Sequence, residues 1–266
     1  MKNHIPGNIE KDIKTGTPLK DFFIIDEHCH MGPFAGQYMG KTSTEDILAE
    51  MDLLGVDMAI VSHSMAIISD FTKGNDLVIE AINKYPDRFY GYCTLNPLYP
   101  EEMLSELERC IKHPKMVGIK LHPYCHERPL YYKGYRTAYE FASKNGLFVM
   151  SHTYTPEDID TTDKLAEEFP DTVFIMAHMG GEKMNVENAL EVIKKHPNVY
   201  GDFSGSQAWE GIIEWYVSVV TSKKLLYGTD TPCMNPSATL ALVAMAEITE
   251  PEKRDILGLN MKRILE

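Results

Sequence analysis

The sequence lacks the features that mark membrane-spanning and secreted proteins. No run approaches the roughly 18 consecutive apolar residues that a transmembrane helix needs. The first residues, MKNHIPGNIEKDIKTGTPLKD, contain no apolar stretch of the kind found in a signal peptide. We therefore expect no membrane span and no secretion signal, and we interpret residues 1–21 as a polar N-terminal arm.

Positive charge is also scarce. The chain has 26 lysine and arginine residues against 39 aspartate and glutamate residues, which gives a formal net charge of −13. Nucleic acid requires a basic surface, so this balance argues against a nucleic-acid partner. It leaves a small anionic substrate open, because the local charge of a cleft can oppose the net charge.

Cysteine is present without any pattern that would pair it. The five cysteines are widely spread, odd in number and free of a Cys-x-x-Cys motif. A disulfide framework is therefore not expected, and reduced thiols indicate a cytoplasmic protein.

Short apolar runs rich in β-branched and aromatic residues alternate with longer helical patterns. The strand-like runs are FFIIDEH, DMAIVSH, FYGYCTLN, MVGIKLH, LFVMSH, VFIMAHMGG, NVYGDFSG and KLLYGTD. Eight such units, each followed by a helix, predict an α/β fold of the (β/α)8 TIM-barrel type. The chain has no Gly-x-Gly-x-x-Gly at the first turn to support an open doubly wound sheet. We expect one domain over residues 1–266, with the N-terminal arm and an extra C-terminal helix at PEKRDILGLNMKRILE.

Polar residues gather at the predicted strand ends, where the active site of such a barrel lies. Six of the ten histidines are among them. They are His28 and His30 after strand one, His63 after strand two, His122 after strand four, His152 after strand five and His178 after strand six.

The His-x-His pair has a specific geometric meaning. Side chains at positions i and i+2 of a strand share one face, so His28 and His30 should both point into the barrel mouth. By the same alternation, Glu27 and Cys29 should face the surrounding helices. His152 and Asp230 would reach the mouth from other strands. Three imidazoles and one carboxylate suit a divalent metal such as Zn²⁺, with an open position for water.

At this point the sequence resembles a known family. The segments DEHCH, GIKLHP, VMSHT, MAHMGG and LLYGTDTP, in this order, are similar to motifs of the amidohydrolase superfamily. The nearest match is its amidohydrolase-2 group, which includes ACMSD-like decarboxylases and small metal-dependent hydrolases. This resemblance implies that His28, His30, His152 and Asp230 bind the metal, and that His178 is the catalytic acid/base or polarises a carbonyl. It also implies homo-oligomers.

The resemblance does not decide whether the site binds one metal ion or two. Superfamily members with two metals use a carboxylated lysine after strand four as a bridge, and Lys120 holds that position here. In the one-metal alternative, Lys120 would be a cation beside the substrate or a hydrogen-bond donor. His63 and His122 would contact the substrate or support the ligands, and Arg128 could add positive charge near the mouth.

Three functions follow from these residues. The leading prediction is a hydrolase in which Asp230 accepts a proton from metal-bound water that attacks a small amide, lactone or ester. The alternative is a non-oxidative decarboxylase of an aromatic or unsaturated acid, and short predicted loops after strands five to eight favour the hydrolase over it. A barrel that binds a ligand without catalysis is the third reading.

Overall fold

A computed structural model describes residues 8–205 and 209–266 of the protein. Eight parallel strands form one sheet in the order β1 to β8, each paired with the next along the chain. The strands are β1 (Ile25–Met31), β2 (Met58–His63), β3 (Phe89–Thr94), β4 (Met116–Leu121), β5 (Phe148–His152), β6 (Phe174–Ala177), β7 (Val199–Asp202) and β8 (Leu225–Leu226). This arrangement confirms the predicted (β/α)8 barrel.

Helices follow the strands and pack around the sheet. The helices up to β5 are α1 (Asn8–Thr15), α2 (Thr44–Leu54), α3 (Ser64–Ile68), α4 (Phe71–Lys84), α5 (Pro100–Cys110), α6 (Pro123–His126) and α7 (Arg136–Asn145). The later ones are α8 (Pro156–Glu168), α9 (Lys183–Lys195), α10 (Ile212–Val220), α11 (Pro236–Met245), α12 (Glu250–Arg254) and α13 (Asn260–Leu265). Among the described residues, no helix is both long and apolar enough to cross a membrane.

Local sequence explains where the main helices begin and end. Ser43 caps α2 by accepting from the backbone N–H of Asp46, whose carboxylate accepts in return from the Ser43 N–H. The same helix ends at Gly55, whose φ of 82° is easily adopted only by glycine. Thr155 and Asp158 form an equivalent capping box at α8, with Pro156 in the first turn.

The barrel interior is filled by side chains from alternate strand positions. Ile25, Tyr92, Phe148 and Leu226 belong to this inner cluster, and Met261 of α13 joins them. A second, larger cluster lies between the sheet and the helices. The inner residues pack the lower part of the barrel, so the mouth at the carboxyl ends of the strands is left for polar groups.

The barrel closes between β8 and β1 through loop hydrogen bonds instead of a regular ladder. The backbone N–H groups of Thr229 and Asp230 both donate to the carbonyl of His28, at 3.3 and 2.8 Å. The Thr229 hydroxyl donates to the buried Asp26 carboxylate at 2.6 Å. It also accepts from the backbone N–H of Thr231 at 3.1 Å. These bonds carry the chain from the end of β8 back onto the first strand.

The predicted ends of strands six and eight were wrong. Strand six ends at Ala177, and His178–Gly180 form a 3-10 turn instead of continuing the strand. Strand eight is only Leu225–Leu226 because the residues after it turn away to bond β1. The expected C-terminal helix is interrupted by a π-helical turn at Asp255–Leu259. Part of the predicted arm is the helix α1, whose Ile9 is buried.

Replacement of Thr229 by valine tests this closure. The change removes the donor to Asp26 and the acceptor of the Thr231 N–H, so both buried groups lose a partner. We expect the free energy of unfolding, measured by urea denaturation, to fall by about 1–3 kcal/mol.

Thr172→Val is the matched control. The Thr172 hydroxyl is also buried, but within the described part of the chain it has no hydrogen-bond partner. Its removal should leave stability unchanged or raise it slightly. Equal losses in the two variants would show that the Thr229 bonds do not stabilise the closure.

Candidate metal centre

Three potential ligand atoms converge at the mouth of the barrel. The Nε2 atoms of His28 and His30, both on β1, lie 3.2 Å apart. Oδ1 of Asp230, from the segment after β8, lies 3.1 Å from His30 Nε2 and 3.6 Å from His28 Nε2. Both histidines are buried. Three electron-pair donors therefore face one small volume.

The other ring nitrogen of each β1 histidine is held by a separate partner. His28 Nδ1 donates to Oδ2 of Asp202, at the end of β7, over 2.8 Å. His30 Nδ1 lies 2.7 Å from the Ser62 hydroxyl. A carboxylate can only accept, so His28 carries its proton on Nδ1 and presents an Nε2 lone pair. With Ser62 accepting, His30 does the same.

The ionisation states favour cation binding. Burial, together with the positive charge of Lys120, lowers the pKa of His28 to about 3, so this ring is neutral at pH 7. Burial alone would raise the pKa of Asp230, but the close approach of His30 and the other nearby histidines brings it below its usual range. Asp230 is therefore a carboxylate between neutral imidazoles.

This donor set fits a divalent metal. Ligands placed about 2.1 Å from a tetrahedral metal lie about 3.4 Å from one another, and the three distances here are 3.1–3.6 Å. Two neutral imidazoles and a carboxylate match the preference of first-row divalent ions. The Nδ1 partners are the hydrogen-bond acceptors that normally orient metal-binding histidines.

His152 and His178 form a second imidazole pair beside the first. His178 Nδ1 donates to the carbonyl of Ser204 at 3.1 Å, so its Nε2 is the nitrogen with a lone pair. That Nε2 lies 3.1 Å from Nδ1 of His152, which must then donate and leave a lone pair on its own Nε2. Ligand atoms of His28, His178 and Asp230 lie within 4.8 Å of one another, which brings His178 close to the predicted ligands.

His178 and Asp230 have a backbone conformation that residues with a side chain rarely adopt. The φ angles of His178 and Asp230 are 64° and 59°, in the left-handed region. Such strain is concentrated at functional sites, where the surrounding structure enforces it. Gly228 provides the space: a Cβ there would lie 2.7 Å from His28 Cβ and 3.3 Å from Asp202 Cγ.

Lys120 points at the same centre. Its Nζ lies 2.7 Å from His28 Nε2 and 3.0 Å from the sulfur of Met150. Burial lowers its pKa. This location is compatible with both predicted roles of Lys120, so the choice between one metal and two stays a prediction.

The predicted orientation of Glu27 was wrong. The pairing of β1 with β2 shifts register between Asp26 and Cys29, so simple alternation fails there. Glu27 faces the interior, where the Tyr92 hydroxyl donates to its carboxyl group at 3.1 Å. Burial, then the negative charge of Asp202, raises the pKa of Glu27. Cys29 packs in the outer cluster, as expected.

The histidines at the end of β2 and directly after β4 act as helix caps. His63 Nδ1 accepts from the Met65 N–H at 3.1 Å at the start of α3. His122 Nδ1 accepts from the Cys125 N–H at 3.3 Å at the start of α6. Their predicted roles beside the substrate or the ligands stay predictions.

Rings stacked on His152 extend the site outward. The centres of the His122 and His152 rings are 4.1 Å apart, with an interplanar angle of 17°. The centres of the Tyr154 and His152 rings are 4.8 Å apart, with an interplanar angle of 12°. His152 and Tyr154 also line a cavity of 700 Å³, together with Arg128 and other residues of the loop after β4. Arg128 therefore lies at the cavity, and its predicted role as a cation near the substrate stays a prediction.

Some of these residues were not assigned a role from the sequence. Asp202 and Ser204 follow strand seven, and their position at a strand end was the only signal. Their partners, His28 and His178, are distant along the chain, so the contacts depend on the closed barrel. Tyr154 lies two residues beyond His152, in a segment that carries no distinctive pattern.

Comparisons with known proteins agree with this architecture. A family model described as amidohydrolase matches residues 25–266. A gamma-resorcylate decarboxylase from Polaromonas sp. is 32% identical over 96 residues, a match that covers 31% of this chain and only 29% of that protein.

Solved structures extend the fold similarity to nearly the whole chain. The 5-carboxyvanillate decarboxylase of Sphingomonas paucimobilis is 17% identical with a TM-score of 0.73, covering 92% of this chain and 99% of that one. A dihydroxybenzoic acid decarboxylase from Polaromonas sp. JS666, solved with manganese and 2-nitroresorcinol, is 17% identical with a TM-score of 0.70. That alignment covers 92% of this chain and 97% of the other. At such identities the similarity establishes the fold.

Replacement of Asp202 by asparagine tests the support of His28. The amide is a weaker acceptor for Nδ1–H and can present its own donor, which disfavours the tautomer that exposes Nε2. We expect the affinity for Mn²⁺ or Zn²⁺, measured by competition with a chromophoric chelator, to fall about 10–100-fold.

Asp163→Asn controls for the loss of an Asp–His pair in general. Asp163 Oδ1 lies 2.6 Å from His196 Nε2, away from the mouth, between α8 and the end of α9. Because Asp163, Glu167 and His196 could themselves hold a metal ion, this variant should lose at most a separate binding event and keep the affinity of the site at the mouth. Unchanged affinity in Asp202→Asn would contradict the supporting role of Asp202.

Proposed function

The chain belongs to the amidohydrolase family, and from that premise we propose that it is a metal-dependent decarboxylase of an aromatic acid. One observation carries the proposal: the convergent donors of His28, His30 and Asp230 are linked, through the contacting rings of His178 and His152, to a cavity lined by tyrosines. The named relatives and structural neighbours support the reaction class, since each is a decarboxylase of a substituted aromatic acid.

The sequence favoured hydrolysis, and the comparisons support the decarboxylase alternative better. The argument for hydrolysis was the short predicted loops, and loop length does not define a reaction. The same metal-binding residues serve either chemistry, because a metal can polarise a carboxylate as well as activate water. The residues that line the cavity therefore say more about the reaction than the metal-binding donors do.

We assign the metal to His28, His30 and Asp230, with His152 as the further ligand that the family resemblance implies. A divalent ion at this position would supply electrostatic stabilisation of the negative charge that develops on the substrate. Manganese in the Polaromonas structure supports a divalent ion in general. Zinc as the specific ion stays a prediction.

His178 is the proposed proton carrier. Its Nδ1 is committed to the Ser204 carbonyl, so Nε2 is the atom that gains and delivers a proton. The ring carbon that bears the carboxylate accepts this proton to form a new C–H bond. The C–C bond then breaks, its electron pair returns to the ring, and CO₂ leaves. His178 recovers its proton from solvent.

A substrate panel tests the reaction class. We expect Mn²⁺-loaded protein to release CO₂ from at least one hydroxybenzoic acid and not to cleave matched esters, lactones or amides. Chelation should abolish the release, and Mn²⁺ or Zn²⁺ should restore it. Headspace CO₂ and chromatography of the products measure both reactions. Ester, lactone or amide cleavage without CO₂ release would restore the hydrolase prediction.

The pair His152→Asn and His178→Asn separates ligation from proton transfer. We expect the His152 variant to bind metal more weakly, and the His178 variant to keep its metal while kcat falls about 100–10,000-fold. Metal per chain is measured by mass spectrometry on protein prepared without chelator. Loss of metal in His178→Asn with retention in His152→Asn would reverse the two roles. Two equivalents per chain would support the bridging role of Lys120.

A further inference from the structure

Arg128 differs from the other arginines in its partners. Each of the others forms an ion pair with a carboxylate: they are Arg88, Arg109, Arg136, Arg254 and Arg263. In residues 8–205 and 209–266, no carboxylate oxygen lies within 4.0 Å of the Arg128 guanidinium. The protein has 39 acidic residues, so an arginine without one is unexpected.

The guanidinium is nevertheless held in place. Arg128 Nη1 donates to the carbonyl of Glu127 at 2.7 Å, and Cζ lies 5.5 Å from the centre of the Tyr132 ring. Glu127 itself has a φ of 51°, a left-handed conformation that non-glycine residues rarely adopt. The loop after β4 therefore accepts local strain in the residue that precedes Arg128.

Arg128 and His152 line the same cavity of 700 Å³. His152 connects that cavity to the metal centre through its contact with His178. Tyr124 and Tyr131, which also line the cavity, are 78% and 66% exposed. Exposed aromatic rings around one half-buried guanidinium form a surface suited to a flat anionic ligand.

Three acidic residues also line this cavity, and they limit the kind of anion it can take. The Asp158 carboxylate already accepts from the hydroxyl and the backbone N–H of Thr155. Glu127 and Glu157 are exposed, so water screens their charges. The three carboxylates would repel a ligand whose negative charge is spread over many atoms. A ligand with one planar carboxylate that reaches Arg128 can instead form directed hydrogen bonds with the guanidinium.

We propose that Arg128 forms a second anion subsite, so that the preferred substrate is an aromatic acid with another carboxylate remote from the metal. The guanidinium matches a carboxylate because both are planar and can form two parallel hydrogen bonds. The assignment of the first carboxylate to the metal rests on the proposed function. The assignment of the second rests on Arg128 and the cavity.

Equilibrium binding of non-reacting probes tests this subsite. The probes are benzoate, benzene-1,3-dicarboxylate and benzene-1,4-dicarboxylate, titrated into the metal-loaded full-length protein by calorimetry. We expect at least one dicarboxylate to bind about 10–100-fold more tightly than benzoate, as one charge-assisted contact allows. Arg128→Met should remove that advantage and leave benzoate binding unchanged. Arg128→Lys, which keeps the charge but not the paired donors, should retain part of it.

Two control variants test whether the preference for dicarboxylates comes from Arg128. Lys133 lies in the same connection without lining the cavity, so Lys133→Met should leave all three affinities unchanged. Glu157→Gln removes a negative charge from the cavity wall and should strengthen dicarboxylate binding by about 2–5-fold. Changes of opposite sign in two cavity variants would not arise from general destabilisation.

The outcomes separate the subsite from the reaction. Equal binding of benzoate and both dicarboxylates to the unmodified protein overturns the subsite, whatever the protein catalyses. An advantage for dicarboxylates that survives in Arg128→Met overturns it as well. If the advantage depends on Arg128 but no aromatic acid loses CO₂, the subsite stands and the proposed function fails. If Arg128→Met is unfolded by circular dichroism, the comparison of Arg128→Lys with Glu157→Gln decides.

Discussion

The organisation of the mouth depends on the hydrogen bond between Asp202 and His28. Because the carboxylate takes the proton-bearing Nδ1, His28 must present its Nε2 lone pair to the centre of the mouth. There it meets His30 Nε2 at 3.2 Å and the Asp230 carboxylate. Electron pairs brought so close without a cation repel one another in a buried site. Lys120 Nζ, 2.7 Å from His28 Nε2, places one positive charge there, and a divalent ion held by the three donors would add more.

The barrel accepts backbone strain to build this arrangement. His178 and Asp230 both have positive φ, and both follow strands that end early. If β6 continued through His178, the direction of the His178 ring would be set by the alternation of side chains along the strand. Because β6 ends at Ala177, the 3-10 turn sets that direction. The short β8 frees the backbone N–H groups of Thr229 and Asp230 to bond the His28 carbonyl. The loss of regular ladder bonds is therefore offset by bonds that position His28 and Asp230.

The sequence predicted the barrel and the gathering of histidines because both depend on local patterns. Strand–helix alternation and the Ser43 and Gly55 caps are readable over a few residues. The orientation of Glu27 was wrong because a register shift depends on the neighbouring strand, which alternation within β1 cannot reveal. The role of Asp202 could not be predicted from the sequence for a related reason. Its contact with His28 joins residues 174 positions apart, so it exists only once the barrel has closed.

The same contrast between local and distant information applies to function. Metal-binding residues lie on strand ends and recur in enzymes that perform different reactions, so they identify a family better than a substrate. The loop after β4 carries the more specific information, since it places aromatic rings and an arginine that pairs with no carboxylate of the described residues around the cavity that His152 also lines. A net charge of −13 would repel an anionic substrate at long range, but screening limits that repulsion to about 10 Å at moderate salt. Within the cavity, neighbouring charges dominate, and Arg128 and the metal centre would together give an anion two attractive contacts.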